Sequence, residues 1–305
     1  MVVPTARHWA LLFYLVIFWG FAFGLIAVAL TYFHPVALVW GRLTLGALVM
    51  YGVLKFRGLR LPLDAASLRQ MVVLAMTGNV MPFVLIAWSE QHVASSEVGL
   101  LMALMPITTL LMGHYLLTHE KFTTIRLTGV LLGLAGVGIL LGEEWWVADS
   151  GMRFWGQMAA LLATVCYAAN GVYAKRIPKV DPVAVSAGSL AIGSVVLLAP
   201  ALWLQDWTDP GAAFEAWLAL LVLGTLATGV ATWVYFVVVT EVGPGFLSTI
   251  NYLIPGVAFI VGISVLGEAA AWPQFLALLL IVAGVWLIQP RHAGGAQRRA
   301  LAMDE

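Results

Sequence analysis

Residues 34–43 read HPVALVWGRL and residues 181–190 read DPVAVSAGSL, so a Pro-Val-Ala run followed by Gly and Leu recurs after 147 residues. Three further matches share this spacing to within two residues. They are Pro106 with Pro255, Glu120 with Glu268, and Ala-Gly-Val at 135–137 with the same triplet at 283–285. Self-similarity at one spacing indicates an internal repeat. The chain of 305 residues is therefore predicted to consist of two similar halves.

The composition predicts that both halves lie in a membrane. Apolar residues make up 62% and charged residues 10%, against roughly 45–50% and about 25% in soluble domains, and the mean hydropathy is +0.97. A membrane-spanning helix needs roughly 20 apolar residues. Ten such spans are predicted, at 9–30, 35–54, 71–88, 98–117, 127–141, 154–174, 182–203, 217–239, 246–266 and 272–288. Ten spans leave no room for a separate soluble catalytic domain.

The distribution of basic residues predicts the orientation of these spans. Thirteen of the fifteen Lys and Arg residues fall on the side of the two termini, while Arg153 is on the opposite side and Arg42 lies within a span. The positive-inside rule then places both termini in the cytoplasm of a multi-pass protein. Equal numbers of acidic and basic residues, 15 each, favour neither nucleic acid nor an acidic partner. The single cysteine, Cys166, excludes an internal disulfide and a cysteine-based metal cluster.

Five spans per half imply an inverted repeat. Because five is odd, the second half has the opposite orientation in the membrane, which is the plan of many secondary transporters. The predicted fold is all-α, with ten transmembrane helices in a 5+5 inverted repeat around a central cavity. The first half covers residues 1–147, the second covers 148–290, and residues 291–305 form a cytoplasmic tail.

The chain resembles the drug/metabolite transporter superfamily, in particular members with two tandem EamA-type halves. In the first half the matching residues are Trp19-Gly20, Pro35, Arg42, the run 94–106, Glu120 and the 133–137 segment. In the second they are Tyr167, Pro182, Pro255, Glu268 and 283–285. Within the superfamily it most resembles the YddG-type bacterial exporters of aromatic amino acids. The resemblance implies export across the bacterial inner membrane without ATP, and a cavity lined mainly by spans 1, 3, 4, 6, 8 and 9.

Seven residues are predicted to line the cavity and bind substrate. They are Trp19, Asn79, Tyr167, Asn170, Trp233, Asn251 and Tyr252. Asn79 and Thr228 are repeat equivalents near the middle of spans 3 and 8. A buried amide needs a partner, so Asn79 either hydrogen-bonds a substrate carboxylate or ammonium or joins two helices. Trp19 and Trp233 are deep enough to offer an apolar wall and an indole N–H, although packing between helices is the alternative.

Prolines and charges complete the predicted site. Pro106 and Pro255, paired by the repeat, each remove a backbone hydrogen bond and are predicted to act as hinges for alternating access, a static kink being the alternative. No acidic residue lies in span 1 and no Lys lies inside any span, which disfavours cationic drugs and phosphorylated substrates. Arg42 is interpreted as a structural residue, either an outer-half clamp paired with Glu97 or a snorkelling side chain, and substrate binding is the alternative. Glu97 itself is either a proton-coupling site or an interfacial helix N-terminal acid.

The predicted function is export of neutral, aromatic or other hydrophobic, amino acids by alternating access. The alternative is an exporter or facilitator of other neutral hydrophobic metabolites or drugs. An enzyme is excluded because no paired deep carboxylates, H-E-x-x-H motif or base-activated nucleophile is present in the sequence. No metal or other cofactor and no nucleic acid is expected. The expected partners are a small-molecule substrate and the lipid bilayer, and the protein is expected to be a monomer.

Overall fold

The computed structural model describes residues 4–116, 123–142, 151–176, 181–207, 213–269 and 271–288. The boundary expected near residue 147, the tail at 291–305 and Glu120 lie outside these ranges. The described residues form helices and contain no strand. When segments separated by a short break are joined, the helices are α1 Ala6–Ala29, α2 Pro35–Phe56, α3 Ala65–Ser89, α4 Ser95–Leu116, α5 Thr124–Gly142, α6 Gly151–Arg176, α7 Pro182–Leu204, α8 Phe214–Glu241, α9 Gly245–Ser264 and α10 Trp272–Ile288.

Eight of these helices, α1–α5 and α7–α9, are long and apolar enough to cross a membrane. The helix α10 is apolar but has 17 residues. The helix α6 has 26 residues, and polar side chains such as Gln157 and Asn170 lower its hydropathy. The count of spans supported by length and composition in the described ranges is therefore eight, against the ten predicted.

Local signals determine several helix ends. Pro35 and Pro182 occupy the first turns of α2 and α7, where a missing N–H costs nothing. The Asp181 carboxylate accepts from the N–H groups of Val183 and Ala184, and the Asp64 carboxylate accepts from Ser67 N–H at 3.0 Å. Asp64 caps α3, which begins at Ala65, six residues before the predicted start of that span. The prediction began later because the first turns of α3 are polar.

Helices related by the repeat pack against each other in antiparallel pairs. In α5 and α10, Gly129 lies against Gly284 and Ile288, whereas Gly136 lies against Ile281. These glycines let the two backbones approach closely, as in other membrane helix pairs.

The same relationship holds for α2 and α7. The N–H of His34, just before α2, donates to Gln205 Oε1 at 2.6 Å. Further along, the hydroxyls of Thr44 and Ser194 are 2.7 Å apart. The two helices are therefore antiparallel, since residues later in α2 lie beside residues earlier in α7.

The first helix of each half also packs against helices of the opposite half. The helix α1 packs against α8 and α9, and its repeat equivalent α6 packs against α3 and α4. One large apolar cluster runs through both halves, and a smaller one joins α1, α8 and α9. The arrangement places the middle of α3 beside α6 and the middle of α8 beside α1.

Candidate functional site

Two π-helical segments occupy equivalent places in the two halves. They are Met76–Val80 in α3 and Thr225–Val230 in α8, whose first residues are 149 positions apart. Asn79 lies in the first and Thr228 in the second. The two residues paired by the repeat therefore both lie where the helix backbone is irregular. Such π segments occur frequently at functional sites. They were missed in the sequence, where Pro82, two residues beyond the first segment, was the one available signal because it lacks an N–H.

A side chain from α6 holds the first π segment. Asn170 Nδ2 donates to the carbonyl of Leu74 at 3.2 Å and to Thr77 Oγ1 at 3.0 Å. Gly78 faces the same amide, since a Cβ at position 78 would lie 2.6 Å from Asn170 Nδ2. Asn170 thus bonds α3 at the start of the π segment, through the carbonyl of Leu74 and the side chain of Thr77.

Side chains from α1 hold the second π segment in the same way. Trp19 Nε1 donates to the carbonyl of Ala227 at 3.1 Å, and the Tyr14 hydroxyl donates to the carbonyl of Leu226 at 3.0 Å. The ring of Trp19 also lies 6.0 Å from that of Tyr235. Each π segment is therefore bonded to the first helix of the opposite half.

Arg42 joins the two halves beside these segments. It is 7% exposed, and its Nε donates to Thr228 Oγ1 at 2.7 Å. Its guanidinium carbon lies 3.9 Å from the centre of the Phe83 ring, a cation–π contact. Tyr167 of α6 is close enough to interact electrostatically with Arg42. Arg42, Thr228, Phe83 and Tyr167 thus lie in one region between α2, α3, α6 and α8, and Asn79 lies half-buried in the π segment of α3, four residues before Phe83.

The expected pairing of Arg42 with Glu97 is wrong. Glu97 accepts from Arg153 Nη2 at 2.7 Å and from Gln157 Nε2 at 2.6 Å. Both donors are on α6, so the pair ties the start of α4 to the start of α6. Arg42 donates instead to Thr228 of the second half, because the packing of α2 on α8 brings Thr228 opposite Arg42.

Two further acidic side chains lie at the same end of the bundle, opposite the N-terminus. The Glu268 carboxylate accepts from Ser95 N at 2.8 Å, from Ser95 Oγ at 2.8 Å and from Ser96 N at 2.9 Å, which caps α4. Burial acts to raise the pKa of Glu268, but the hydrogen bonds from Ser96 and Ser95 outweigh it and leave that pKa below its usual value.

Glu90 has the opposite environment. It follows α3 by one residue, and both of its carboxylate oxygens are buried with no hydrogen-bond donor in the part of the chain that the structure describes. Burial, followed by the charge of Glu268, raises the pKa of Glu90 well above its usual value, and Arg42 acts in the lowering direction. Sequence reasoning did not select Glu90, because nothing in the sequence shows which side chains surround an acid at the end of a span.

The remaining predicted site residues lie elsewhere. Trp233 is 39% exposed and lines a crevice of about 710 Å³ between the ends of α2 and α8 and the start of α7, together with Arg7, Phe56 and Glu241. Tyr252 donates to the carbonyl of Val285 at 3.5 Å, towards α10. Asn251 lies half-buried in the first turn after the break in α9.

Both predicted hinge helices are interrupted, at different places. In α4 the break falls between Met102 and Met105, directly before Pro106. In α9 it falls between Leu247 and Ile250, and Pro255 lies inside the following helix. The two halves therefore differ in conformation at equivalent helices.

The fold and this paired arrangement are those of a transporter with two homologous halves. The profile of the EamA-like transporter family matches residues 8–142 and again 154–289. The chain belongs to the EamA-like transporter family, within the drug/metabolite transporter superfamily, and its homologues are transporters rather than enzymes.

Several relatives match along most of their length. The uncharacterized transporter YoaV of Bacillus subtilis is 23% identical over 270 residues, covering 88% of this chain and 92% of the relative. The uncharacterized inner membrane transporter YedA of Escherichia coli is 28% identical over 284 residues, covering 91% and 89%. A probable terminal-alkyne amino-acid exporter of Streptantibioticus cattleyicolor is 29% identical over 295 residues, covering 94% of each chain.

A solved crystal structure has the same fold. It superposes with a TM-score of 0.65 at 20% identity, covering 97% of this chain and 99% of the other. These findings make the protein a multi-pass membrane transporter.

Proposed function

We propose that the protein exports neutral amino acids with aromatic or other hydrophobic side chains across the bacterial inner membrane by alternating access. The observation that carries the proposal is the pair of π segments at equivalent positions, each bonded to the first helix of the other half. Unwound or irregular backbone at membrane depth is tolerated where protein or a water-filled cavity surrounds it, and transporter sites use such segments at the interface between repeats.

In the proposed architecture α6 and α10 also cross the membrane, giving ten spans in a 5+5 inverted repeat. The antiparallel pairs α2–α7 and α5–α10 support this, because repeat-equivalent helices of inverted halves run in opposite directions. Both termini are proposed to be cytoplasmic, from the charge distribution, and the halves are divided near residue 147. The protein is proposed to act as a monomer without a cofactor.

The substrate is proposed to bind between the π segments. The amide of Asn79 would bind its α-carboxylate or ammonium, while Tyr167 and Phe83 would contact its side chain. Trp19 and Asn170 would shape the site by holding the two segments, and Pro106 and Pro255 would allow α4 and α9 to change shape. The amino-acid exporter named among the relatives supports this substrate class by homology. The predicted contribution of Trp233, Asn251 and Tyr252 remains part of the proposal, and Trp233→Phe tests that of Trp233.

The test is counterflow in proteoliposomes that contain the purified full-length protein and are preloaded with unlabelled phenylalanine. Uptake of labelled phenylalanine above that of empty liposomes is expected. Competition then defines the recognised groups by comparing leucine, phenethylamine, which lacks the carboxylate, and 3-phenylpropionate, which lacks the ammonium. A zwitterion site is inhibited by leucine and much less by either single-charge analogue.

Variants locate the site within the same assay. Asn79→Ala and Tyr167→Phe are expected to lower uptake, and Trp203→Phe, at a residue 84% exposed, is the control that leaves it unchanged. Loss of uptake in Trp233→Phe would transfer the site to the crevice. If folded wild-type protein moves none of the amino acids, the amino-acid proposal fails and neutral drugs and other hydrophobic metabolites become the substrates to test.

A further inference from the structure

Glu90 is a buried acid that the proposed substrate site does not use. Its two carboxylate oxygens are buried and have no hydrogen-bond partner among the described residues. An ionised carboxylate without donors in such a place is very costly, whereas the neutral acid is not. The side chain therefore favours the form that carries a proton.

The groups around Glu90 leave it without a counter-ion in contact. Glu268, from the segment after α9, has three donors of its own and stays ionised, so that of these two acids Glu90 is the one to take the proton. Arg42, from α2, is a positive charge that acts on Glu90. Its Nε, however, is bound to Thr228 and its guanidinium lies over Phe83.

Titratable groups on α4, on α6 and on the segment of Glu90 itself are already engaged. Glu97 of α4 is bonded to Arg153 and Gln157 of α6, and Tyr167 of α6 interacts with Arg42. On its own segment, His92 stacks edge-on against Trp88 at 4.7 Å. None of these contacts supplies a donor to the Glu90 carboxylate.

We propose that Glu90 is a proton-binding site whose occupancy is linked to closure of the bundle end opposite the N-terminus. When this end is closed, as described here, Glu90 is the neutral acid. When α4 separates from the Glu268 segment and water enters, the O–H bond of Glu90 breaks, the proton passes to water and the carboxylate is solvated. Closing reverses this step and takes one proton from that side.

The consequence for transport rests on the proposed function. One linked proton shifts the open–closed equilibrium by up to about tenfold per pH unit between the ordinary pKa of the solvated, open state and the raised pKa of the closed state. The counterflow rate should therefore depend on pH on that side of the membrane. An exporter with this site would respond to the external proton concentration.

The proton itself is detected without any substrate. In infrared spectra of the reconstituted full-length protein near neutral pH, a protonated-carboxyl C=O band is expected, shifted in heavy water and absent from Glu90→Gln. Glu215→Gln, which removes an exposed acid in the first turn of α8, is the matched control and keeps the band. An unchanged band in folded Glu90→Gln, or no such band in the wild type, overturns the proposal.

The second measurement is the pH profile of phenylalanine counterflow. The wild type is expected to change its rate with pH and Glu90→Gln, a permanent mimic of the neutral acid, to give a flat profile. A Glu90→Gln profile identical to that of the wild type overturns the link to closure. Absence of counterflow in the wild type overturns the amino-acid function instead, and the infrared band then decides the proton site. If Glu90→Gln does not fold, loss of the wild-type band on raising the pH gives the same decision.

Discussion

Arg42 Nε donates a hydrogen bond to Thr228 Oγ1 at 2.7 Å, which joins α2 of the first half to the π segment of the second half. Both residues are buried, at 7% and 4% exposure. A charged side chain within a membrane protein needs such a partner, because hydrocarbon offers none. This bond therefore holds the middle of α8 at a fixed position against the first half.

Thr228→Val is expected to destabilise the protein. The substitution keeps the shape but removes the acceptor of a buried charged donor, and a hydrogen bond to a charged group contributes about 1.5–3 kcal/mol. The free energy of unfolding in detergent should fall by that amount. Thr225→Val is the control, because the Thr225 hydroxyl donates within its own helix, to the Leu221 carbonyl, and its replacement should change stability by no more than about 0.5 kcal/mol.

Gly78→Ala and Asn170→Ala are expected to be non-additive. Alanine at position 78 would place its Cβ 2.6 Å from Asn170 Nδ2 and 2.9 Å from Asn170 Cγ, so the amide must leave Leu74 and Thr77. In the Asn170→Ala background that clash is gone, and the double variant should be more stable than the sum of the single effects by about 0.5–3 kcal/mol. Unfolding of all four proteins measures the coupling, and strict additivity would show that Asn170 does not face Gly78.

Gly284→Ala is expected to disrupt the α5–α10 pair. Its Cβ would lie 2.5 Å from the carbonyl oxygen of Gly129 and 2.8 Å from the amide nitrogen of Gly133, and two backbones cannot both move aside as a side chain could. We expect a loss of monodisperse protein in size-exclusion chromatography. Gly138→Ala in α5 has nothing within 4 Å and, from helix propensity, should be neutral or stabilising by up to about 1 kcal/mol.

The stability of the wild type is expected to fall as the pH rises, relative to Glu90→Gln. The pKa of Glu90 in the folded protein is raised by burial, so its contribution is complete below the pKa of the unfolded chain, about 4.3, and is lost as the pH rises towards the folded value. The slope for one proton is at most about 1.4 kcal/mol per pH unit.

Glu268 has the opposite sign, which separates the two acids in the same experiment. Its lowered pKa gives stability that is present above the unfolded pKa and lost as the pH falls through the folded one. Across a pH series, the thermal stability of the wild type should therefore fall towards neutral pH because of Glu90 and fall at acid pH because of Glu268. Glu90→Gln should remove the first decrease and keep the second. Parallel curves for wild type and Glu90→Gln would contradict the buried, protonated state.

Part of the site could be predicted because the internal repeat is visible in the amino-acid sequence. The pairing of Asn79 with Thr228 follows from the spacing alone, and their location in π segments gives that pairing a structural meaning. Trp19 was chosen for its depth, and its indole N–H donates to the carbonyl of Ala227 in the π segment. Trp233 was chosen by the same reasoning but lines a crevice towards the N-terminal end, because depth along a helix does not give the direction a side chain takes around it.

Apolar composition, helix-capping residues and a repeated spacing are local or periodic properties, so the sequence by itself determined the helical class, most helix ends and the two-half plan. The tertiary structure alone decided which partner each charged side chain contacts. Arg42 bonds Thr228 rather than Glu97, Glu97 takes Arg153 and Gln157, and Glu90 is left without a donor. The physical reason is that desolvation and hydrogen bonding act over a few ångströms between helices that are far apart in the chain, and spacing along one helix carries no information about its neighbour.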